Sequence, residues 1–457
     1  MIDTKFSKGT SGWWGVVEGF YGRPWTAAQR AELCRWMASV GLNSYLYAPK
    51  DDPKHRLHWF RPYTPKEAEE LGALIRSCQR LGIRFVYGLA PGYRADFGPK
   101  RMERLLQAKI RQLRGLGCGD FALLFDDIPP EGSAEHLRRY GSWAGAHITW
   151  THQVLRQLRR EPNSGTLFFC PTPYCGSFAG DISTNAYLRE IGERLDPQIP
   201  VFWTGKDIVA RELGVEEMRQ LRCVLGRPPI LWDNLFANDY DLRRLYLGPY
   251  GGREPGIVRE VSGILVNPNC EFRANFVPLH TFASFVRRRG KPWNSSAAYQ
   301  AALKEWRSYF ADYQGTLPSV NELRLLADSL YLPYELGTEA QHLLSDLRQV
   351  LKAKGHAKTA VEKRFRQRSE GLARWHTRIT ELVDRELSYT LYRHVWELKE
   401  EMDLLHRFVA WQKLPARGRP PMRSIFHQLG TYRGGFAAEL QRLLSLNRDG
   451  SFTVAGA

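Results

Sequence analysis

The chain has 457 residues, 43% apolar, 25% charged and rich in aromatics, so it can bury sizeable cores and excludes a disordered or fibrous class. No apolar stretch approaches the roughly 18 residues of a membrane span, and no secretory h-region follows the N-terminus; no membrane partner is expected. Seven scattered cysteines without a C-x-x-C pair argue against a disulfide framework or structural zinc and point to a reducing cytoplasm, and the formal charge of +17 carries no nucleic-acid motif, so we expect an arginine-rich surface rather than a polynucleotide partner.

In chain order, short apolar or β-branched runs alternate with longer stretches of helical period over the first 270 residues. The predicted strands are 14–19, 44–49, 84–91, 121–127, 166–172, 200–205, 229–234 and 263–268. Their near-continuous hydrophobicity fits parallel strands covered on both faces. Predicted helices between them include 26–40, 65–81, 99–116 and 133–160, with Thr64 and Pro65 reading as a cap and first turn. Eight β-then-α units predict a TIM (β/α)8 barrel over 1–290. From about Ser295 the pattern turns helical, with predicted helices over 323–354, 357–398 and 426–446 and a Pro/Gly/Arg-rich loop at 414–421. This predicts a helical bundle over 291–457, with Leu372, Trp375, Ile379 and Leu382 as core.

In a TIM barrel the chemistry sits at the C-terminal strand ends. Polar residues collect there: Glu18 and Gly19, Lys50 to Asp52, Asp126 and Asp127, Tyr174, Asp233 and Asn234, Asn267 and Asn269. Asp126 and Asp127 start on opposite faces of a strand, so both reach one site only where the chain turns, which Pro129 and Pro130 are expected to enforce. A close pair resists a double charge, which yields one carboxylate and one carboxylic acid, as glycoside hydrolysis needs. Trp232 is a stacking face for a sugar ring, and Lys50 a donor to its oxygens; Trp13, Trp14, Tyr21, Trp25 and Trp203 also lie near strand ends. A metal site built on Asp51, Asp52, Asp126 and Asp127, and a non-catalytic sugar- or polynucleotide-binding module, are the competing readings.

The stretches GVVEGFYGRPW (15–25), YLYAPKDD (45–52), FALLFDDI (121–128), FCPTPYCG (169–176), WDN followed by AND (232–239) and NPNCEF (267–272) resemble glycoside hydrolase family 84, the β-N-acetylglucosaminidases that include protein O-GlcNAcases. The resemblance covers about residues 12–290 in order. It implies retaining, substrate-assisted catalysis, in which the sugar's own 2-acetamido oxygen attacks the anomeric carbon. Asp126 would orient that acetamide and Asp127 would be acid and then base. Tyr174 would hydrogen-bond near the acetamido oxygen or the anomeric centre, Asn234 would help hold the N-acetyl group, and Cys170 would line that pocket. Asp239, Lys50 and Asn267 would hold hydroxyls, Gly19 would offer its carbonyl, and Trp232 would form a wall. Pro173 stands where the family often has an acidic residue. None of these roles needs a metal or cofactor. The implied partner is a GlcNAc-bearing glycoprotein, peptide or glycan, hyaluronan-like polymers included, and a homodimer through the helical domain is expected.

Overall fold

The computed structural model describes residues 12–94, 97–160, 165–352, 356–415, 417–424, 427 and 430–456. Eight parallel strands form one sheet: Trp13–Glu18 (β1), Ser44–Tyr47 (β2), Arg84–Leu89 (β3), Asp120–Leu124 (β4), Leu167–Cys170 (β5), Phe202–Trp203 (β6), Ile230–Asp233 (β7) and Gly263–Val266 (β8). Their order is β5-β4-β3-β2-β1-β8-β7-β6. A parallel bridge between Phe169 and Val201, with the Phe169 N–H donating to Pro200 O at 3.0 Å, joins the two ends. The sheet is therefore a TIM barrel, and each strand coincides with one of the apolar runs but ends sooner than the sequence suggested. The polar residues that follow sit in the loops of the C-terminal rim.

Helix starts follow local chemistry. Thr26 with Gln29, and Thr64 with Glu67, form capping boxes, and Pro65 occupies the first turn as expected. The predicted helix over 133–160 is two, Ala134–Tyr140 and Trp143–Arg159. Gly141 breaks the first at φ +79°, and the Ser142 hydroxyl caps the second by accepting the Gly145 N–H at 2.7 Å.

Contacts divide the chain into two units. The barrel unit runs through Asp239 and includes Tyr250–Cys270 and Phe282–Asn294; the second unit takes Tyr240–Pro249, Glu271–Thr281 and everything from Ser295 onward. The last crossing lies near the expected boundary, but two earlier segments also group with the helical unit. That unit contains the helices Ser295–Trp306, Val320–Ser329, Thr338–Lys352, His356–Glu381, Arg385–Gln412 and Gly435–Gln441. Leu372, Trp375, Ile379 and Leu382 are buried in it. The predicted helix over 323–354 breaks between Ser329 and Thr338. That over 357–398 breaks before Asp384, whose carboxylate caps the next helix through the Leu387 N–H at 2.9 Å. The predicted helix over 426–446, part of which lies outside the described residues, is helical only at Gly435–Gln441. It ends in a strand, Leu444–Leu446 (β9), antiparallel to Phe452–Val454 (β10). The described residues of 414–421 form a loop beyond the first turn-like residues, as expected; Ala416 lies outside them. No described helix is long and apolar enough to cross a membrane.

Candidate active site

The barrel interior is built from Val17, Leu46, Ala48, Val86, Ala122, Leu124, Phe168, Cys170, Ile230, Trp232 and Leu265, among others. Side chains alternate along a strand, so the inward series continues past the strand ends to Gly19, Lys50, Asp126, Asn234 and Asn267. The outward series carries Glu18 and Asp233, and both are spent on structure. Glu18, fully buried, accepts from Arg30 at 2.7 and 2.9 Å, from the Trp25 N–H at 3.1 Å and from the Tyr45 hydroxyl. Asp233 takes both arms of Arg253, the Tyr250 hydroxyl at 2.7 Å and the Leu235 N–H at 3.1 Å. Asp52 is likewise held by the Tyr47 and Tyr63 hydroxyls. The polar cluster expected from the sequence is thus of two kinds, and only the inward kind faces the barrel mouth.

Asp127 is the exception to the alternation. Its parity is outward, but its φ of +52° reverses the chain and brings its carboxylate round beside Asp126. The turn is made at Asp127 itself, ahead of the prolines credited with it in the sequence; aspartate is among the few residues other than glycine that enter this left-handed region. Tyr174 donates to Asp127 Oδ1 at 2.9 Å and Tyr21 to Oδ2 at 2.8 Å.

The repulsion within the pair is answered by two cations. The Lys50 ammonium donates to Asp126 Oδ2 and lies 3.7 Å from Asp127 Oδ2, and Arg56 Nη2 lies 3.8 Å from that same oxygen. Burial pushes the Asp126 carboxyl up, but Lys50, by charge and hydrogen bond, and then Arg56 hold it below the usual carboxylate range. Burial likewise opposes the Lys50 charge, and Asp126 and Asp127 outweigh it, raising the lysine. Asp126 Oδ1 is buried and has no hydrogen-bond partner among the described residues. Beneath, His55 bonds Gly88 O through Nδ1 at 2.7 Å, and burial and the Lys50 charge push its pKa down to about 4.

A second network fixes the opposite wall. Asn234 Oδ1 accepts from Trp232 Nε1 at 3.0 Å and from Asn267 Nδ2 at 2.9 Å, while Asn234 Nδ2 donates to Ile208 O at 2.7 Å. Asn267 Oδ1 in turn accepts the Gly19 N–H at 3.3 Å. A Cβ on Gly19 would sit 2.2 Å from Trp232 Cζ2, so glycine is required for the indole to lie flat there. Lys50 Nζ stands 5.7 Å from both the Trp232 and Tyr21 rings. Asp239 Oδ2 accepts the Tyr21 N–H at 2.8 Å, which ties it to the carboxylate pair through Tyr21. Cys170 pairs with Leu124 in register, two residues before Asp126; burial and then the Asp126 charge push its thiol well up, so it stays protonated.

All ten candidate residues therefore belong to two hydrogen-bonded groups or the wall beside them. The geometry changes three readings. Lys50, read as a donor to sugar oxygens, has its ammonium on Asp126. Tyr21, read only as an aromatic near a strand end, is a direct donor to Asp127. Arg56, which the sequence reading passed over, lies against the pair because the segment after β2 folds back. Its only signal was a second cation in the segment that follows Lys50, and alternation does not extend through the turns of that segment. Trp14, Trp25 and Trp203 are buried, and the Trp203 indole donates to Glu217, so they belong to the core.

The site pairs an ionised carboxylate with one open oxygen and a second carboxylate held by two phenols. It faces an amide network and an indole wall, an arrangement able to orient an N–H group and move a proton on a bound ligand. The chain is 44% identical over 274 residues to the protein O-GlcNAcases of Mus musculus and Rattus norvegicus, a match covering 60% of this chain and 30% of either relative. The chain thus spans about a third of the length of these curated relatives. A mutant of the O-GlcNAc hydrolase of Thermobaculum terrenum superposes with a TM-score of 0.77 at 26% identity, covering 87% of this chain and 83% of that one. The family model described as beta-N-acetylglucosaminidase matches residues 14–322, and the chain belongs to that family of glycoside hydrolases.

Proposed function

We propose that this protein is a retaining exo-β-N-acetylglucosaminidase that uses substrate-assisted catalysis and removes O-GlcNAc from Ser or Thr of proteins. The observation that carries the reading is Asp126: one oxygen anchored on Lys50, the other buried without a partner among the described residues. A buried acceptor left open in a polar pocket suits a ligand N–H, since an unpaired buried polar atom is otherwise costly. The acetamido N–H donates to Asp126 Oδ1, which aims the acetamido oxygen at the anomeric carbon. Asp127 gives its proton to the leaving oxygen as the C1–O bond breaks and the acetamido oxygen closes an oxazoline. Asp127 then takes a proton from the water that opens it. Each Asp127 oxygen has a second lone pair beyond the phenol it accepts, so the phenols leave room for this traffic. The nucleophile is intramolecular, so its positioning advantage comes from the substrate itself, and both carboxylates can share one strand end. Trp232 backs the N-acetyl side, with Asn234, Cys170 and Tyr174 around it. Asp239, Asn267, the Gly19 carbonyl and the N–H groups that Lys50 does not give to Asp126 take the ring hydroxyls.

Exposed Tyr389, Tyr392 and Trp396, at three- and four-residue spacing on helix Arg385–Gln412, support a homodimer through the helical unit. The free cysteines support a cytoplasmic setting. The test of the function is hydrolysis of an aryl β-N-acetylglucosaminide with retention of configuration, set against an O-GlcNAc peptide, a chitobiose and a hyaluronan oligomer. Turnover of the aryl substrate and of the O-GlcNAc peptide is expected. Equal rates on a plain aryl β-glucoside would contradict the mechanism.

A further inference from the structure

Two buried thiols face each other in the helical layer around the barrel. Helix Ala27–Val40 packs against helix Pro65–Arg80, and each contributes a cysteine to the seam between them. Cys34 Sγ and Cys78 Sγ lie 3.5 Å apart, although 44 positions separate them in the chain, and both residues are fully buried. Cys118, Cys175 and Cys270 instead point their sulfurs at oxygens, at 3.2, 3.1 and 3.6 Å. A thiol–thiol contact contributes little as a hydrogen bond, since S–H is a weak donor and sulfur a weak acceptor. Its geometry suits a covalent use: a disulfide holds its sulfurs at about 2.0 Å, so a closing movement of about 1.5 Å joins the pair. The contact also makes the two sulfurs unequal. The bond from Cys78 lowers the Cys34 thiol against its burial, with Arg35 adding to this, whereas the same bond and burial raise Cys78. Cys34 is therefore the more readily ionised sulfur, and the thiolate is the form that attacks an oxidant. Cys78 sits in the last turn of its helix, just ahead of exposed Gln79, Arg80 and Leu81, and helix ends open at less cost than a core.

We propose that Cys34 and Cys78 form a thiol-oxidation site, which a small hydroperoxide closes into an intramolecular disulfide that staples the two helices. The Cys34 thiolate attacks one peroxide oxygen. The O–O bond breaks, the departing oxygen takes up the proton that Cys34 released, and Cys34 is left as a sulfenic acid. The Cys78 sulfur then attacks the Cys34 sulfur. The S–S bond forms, the S–O bond breaks, and hydroxide leaves with the Cys78 proton as water. The two thiols lose two electrons and two protons, and the peroxide takes them up. Burial of both sulfurs restricts the site to an oxidant small enough to enter the seam. The staple braces an element that serves the barrel mouth: Arg30, one turn before Cys34, holds Glu18, the residue before Gly19. The pair lies outside the active site, so the proposal stands independently of the function given above.

The test is treatment of the folded wild-type protein with hydrogen peroxide, then alkylation of free thiols and peptide mass spectrometry without reduction. A peptide carrying Cys34 is expected to appear linked to one carrying Cys78, and dithiothreitol to release both thiols. Exposed Cys223 reports that the peroxide has acted. The midpoint of thermal unfolding is expected to rise by about 3–6 °C in the linked protein and to return with dithiothreitol. Cys34→Ala is expected to show no such rise, and Cys78→Ala carries the same control if the first variant does not fold. Recovery of Cys34 and Cys78 unlinked, as alkylated or sulfinic residues, once Cys223 is oxidised overturns the proposal. So does linkage of either residue mainly to another cysteine, or a linked protein whose midpoint stays level or falls.

Discussion

The ends of β4 and β7 read almost alike: an apolar run, then Asp126-Asp127 in one and Asp233-Asn234 in the other. The structure uses them in opposite ways. On β7 the aspartate points out of the barrel and is consumed by Arg253, Tyr250 and a backbone N–H, while its amide neighbour faces in. On β4 the first aspartate faces in with one oxygen unspent, and the second is turned toward the mouth by a left-handed residue. A carboxylate at a barrel rim is therefore not functional by address alone. Its parity along the strand, and whether its oxygens are already occupied, decide between strut and reagent.

The sharpest way to break that comparison is to neutralise one aspartate from each strand. Asp126→Asn is expected to cut kcat on an aryl β-N-acetylglucosaminide by about a thousandfold, the scale of losing one preorganised electrostatic contact, with thermal unfolding nearly unchanged. Asp233→Ala should do the reverse. It strands the fully buried Arg253 guanidinium, so equilibrium denaturation should show a loss of about 3–5 kcal/mol while the folded fraction keeps turnover of the same order. If Asp126→Asn unfolds the barrel, or Asp233→Ala abolishes turnover in a folded protein, the division into strut and reagent fails.

A smaller effect sharpens the account of the pair. Lys50 is the main reason that Asp126 stays below the usual carboxylate range despite its burial. In Lys50→Met burial acts with little opposition, the Asp126 carboxyl rises, and activity is lost at higher pH as the medium is acidified. The acid limb of kcat should move up by about one to three pH units. An unmoved limb would mean that Asp126 owes its charge to something else.

The smallest expected effect concerns what lies beneath the site. His55 is held neutral, with its pKa pushed down to about 4. Because an unfolded histidine binds its proton near pH 6.5, the native state loses stability as pH falls from about 6.5 to about 4, at up to about 1.4 kcal/mol per pH unit. His55→Gln should flatten that slope in denaturation curves taken between those limits. A slope identical to the wild type would show that the buried imidazole is not its source.

The barrel was legible because eight apolar runs alternate with helical periods, and the pair because Asp126 and Asp127 end one of those runs. Alternation was also available from the sequence: counting by twos from Leu124, Trp232, Val17 and Leu265 reaches Asp126, Asn234, Gly19 and Asn267. It would have set Glu18 and Asp233 apart beforehand. What could not be read was anything beyond the first residues after a strand end. Arg56 reaches the site because Asp52 and His55 fold their segment back, and Asp127 because of one backbone dihedral; neither leaves a periodic trace. In the helical unit the overlong predictions joined helices that Asp384 and the 330–337 segment separate, because helical period continues across a break made by a cap.

The central claim is that the substrate's acetamide is the nucleophile and the Asp126 oxygen its guide. It is tested most directly by a series of aryl β-glucosaminides whose N-acetyl group carries zero to three fluorines, which weaken the acetamido oxygen while leaving the leaving group unchanged. The account predicts that kcat/KM falls steeply and progressively with each fluorine. A flat series would place the nucleophile on the protein and contradict it.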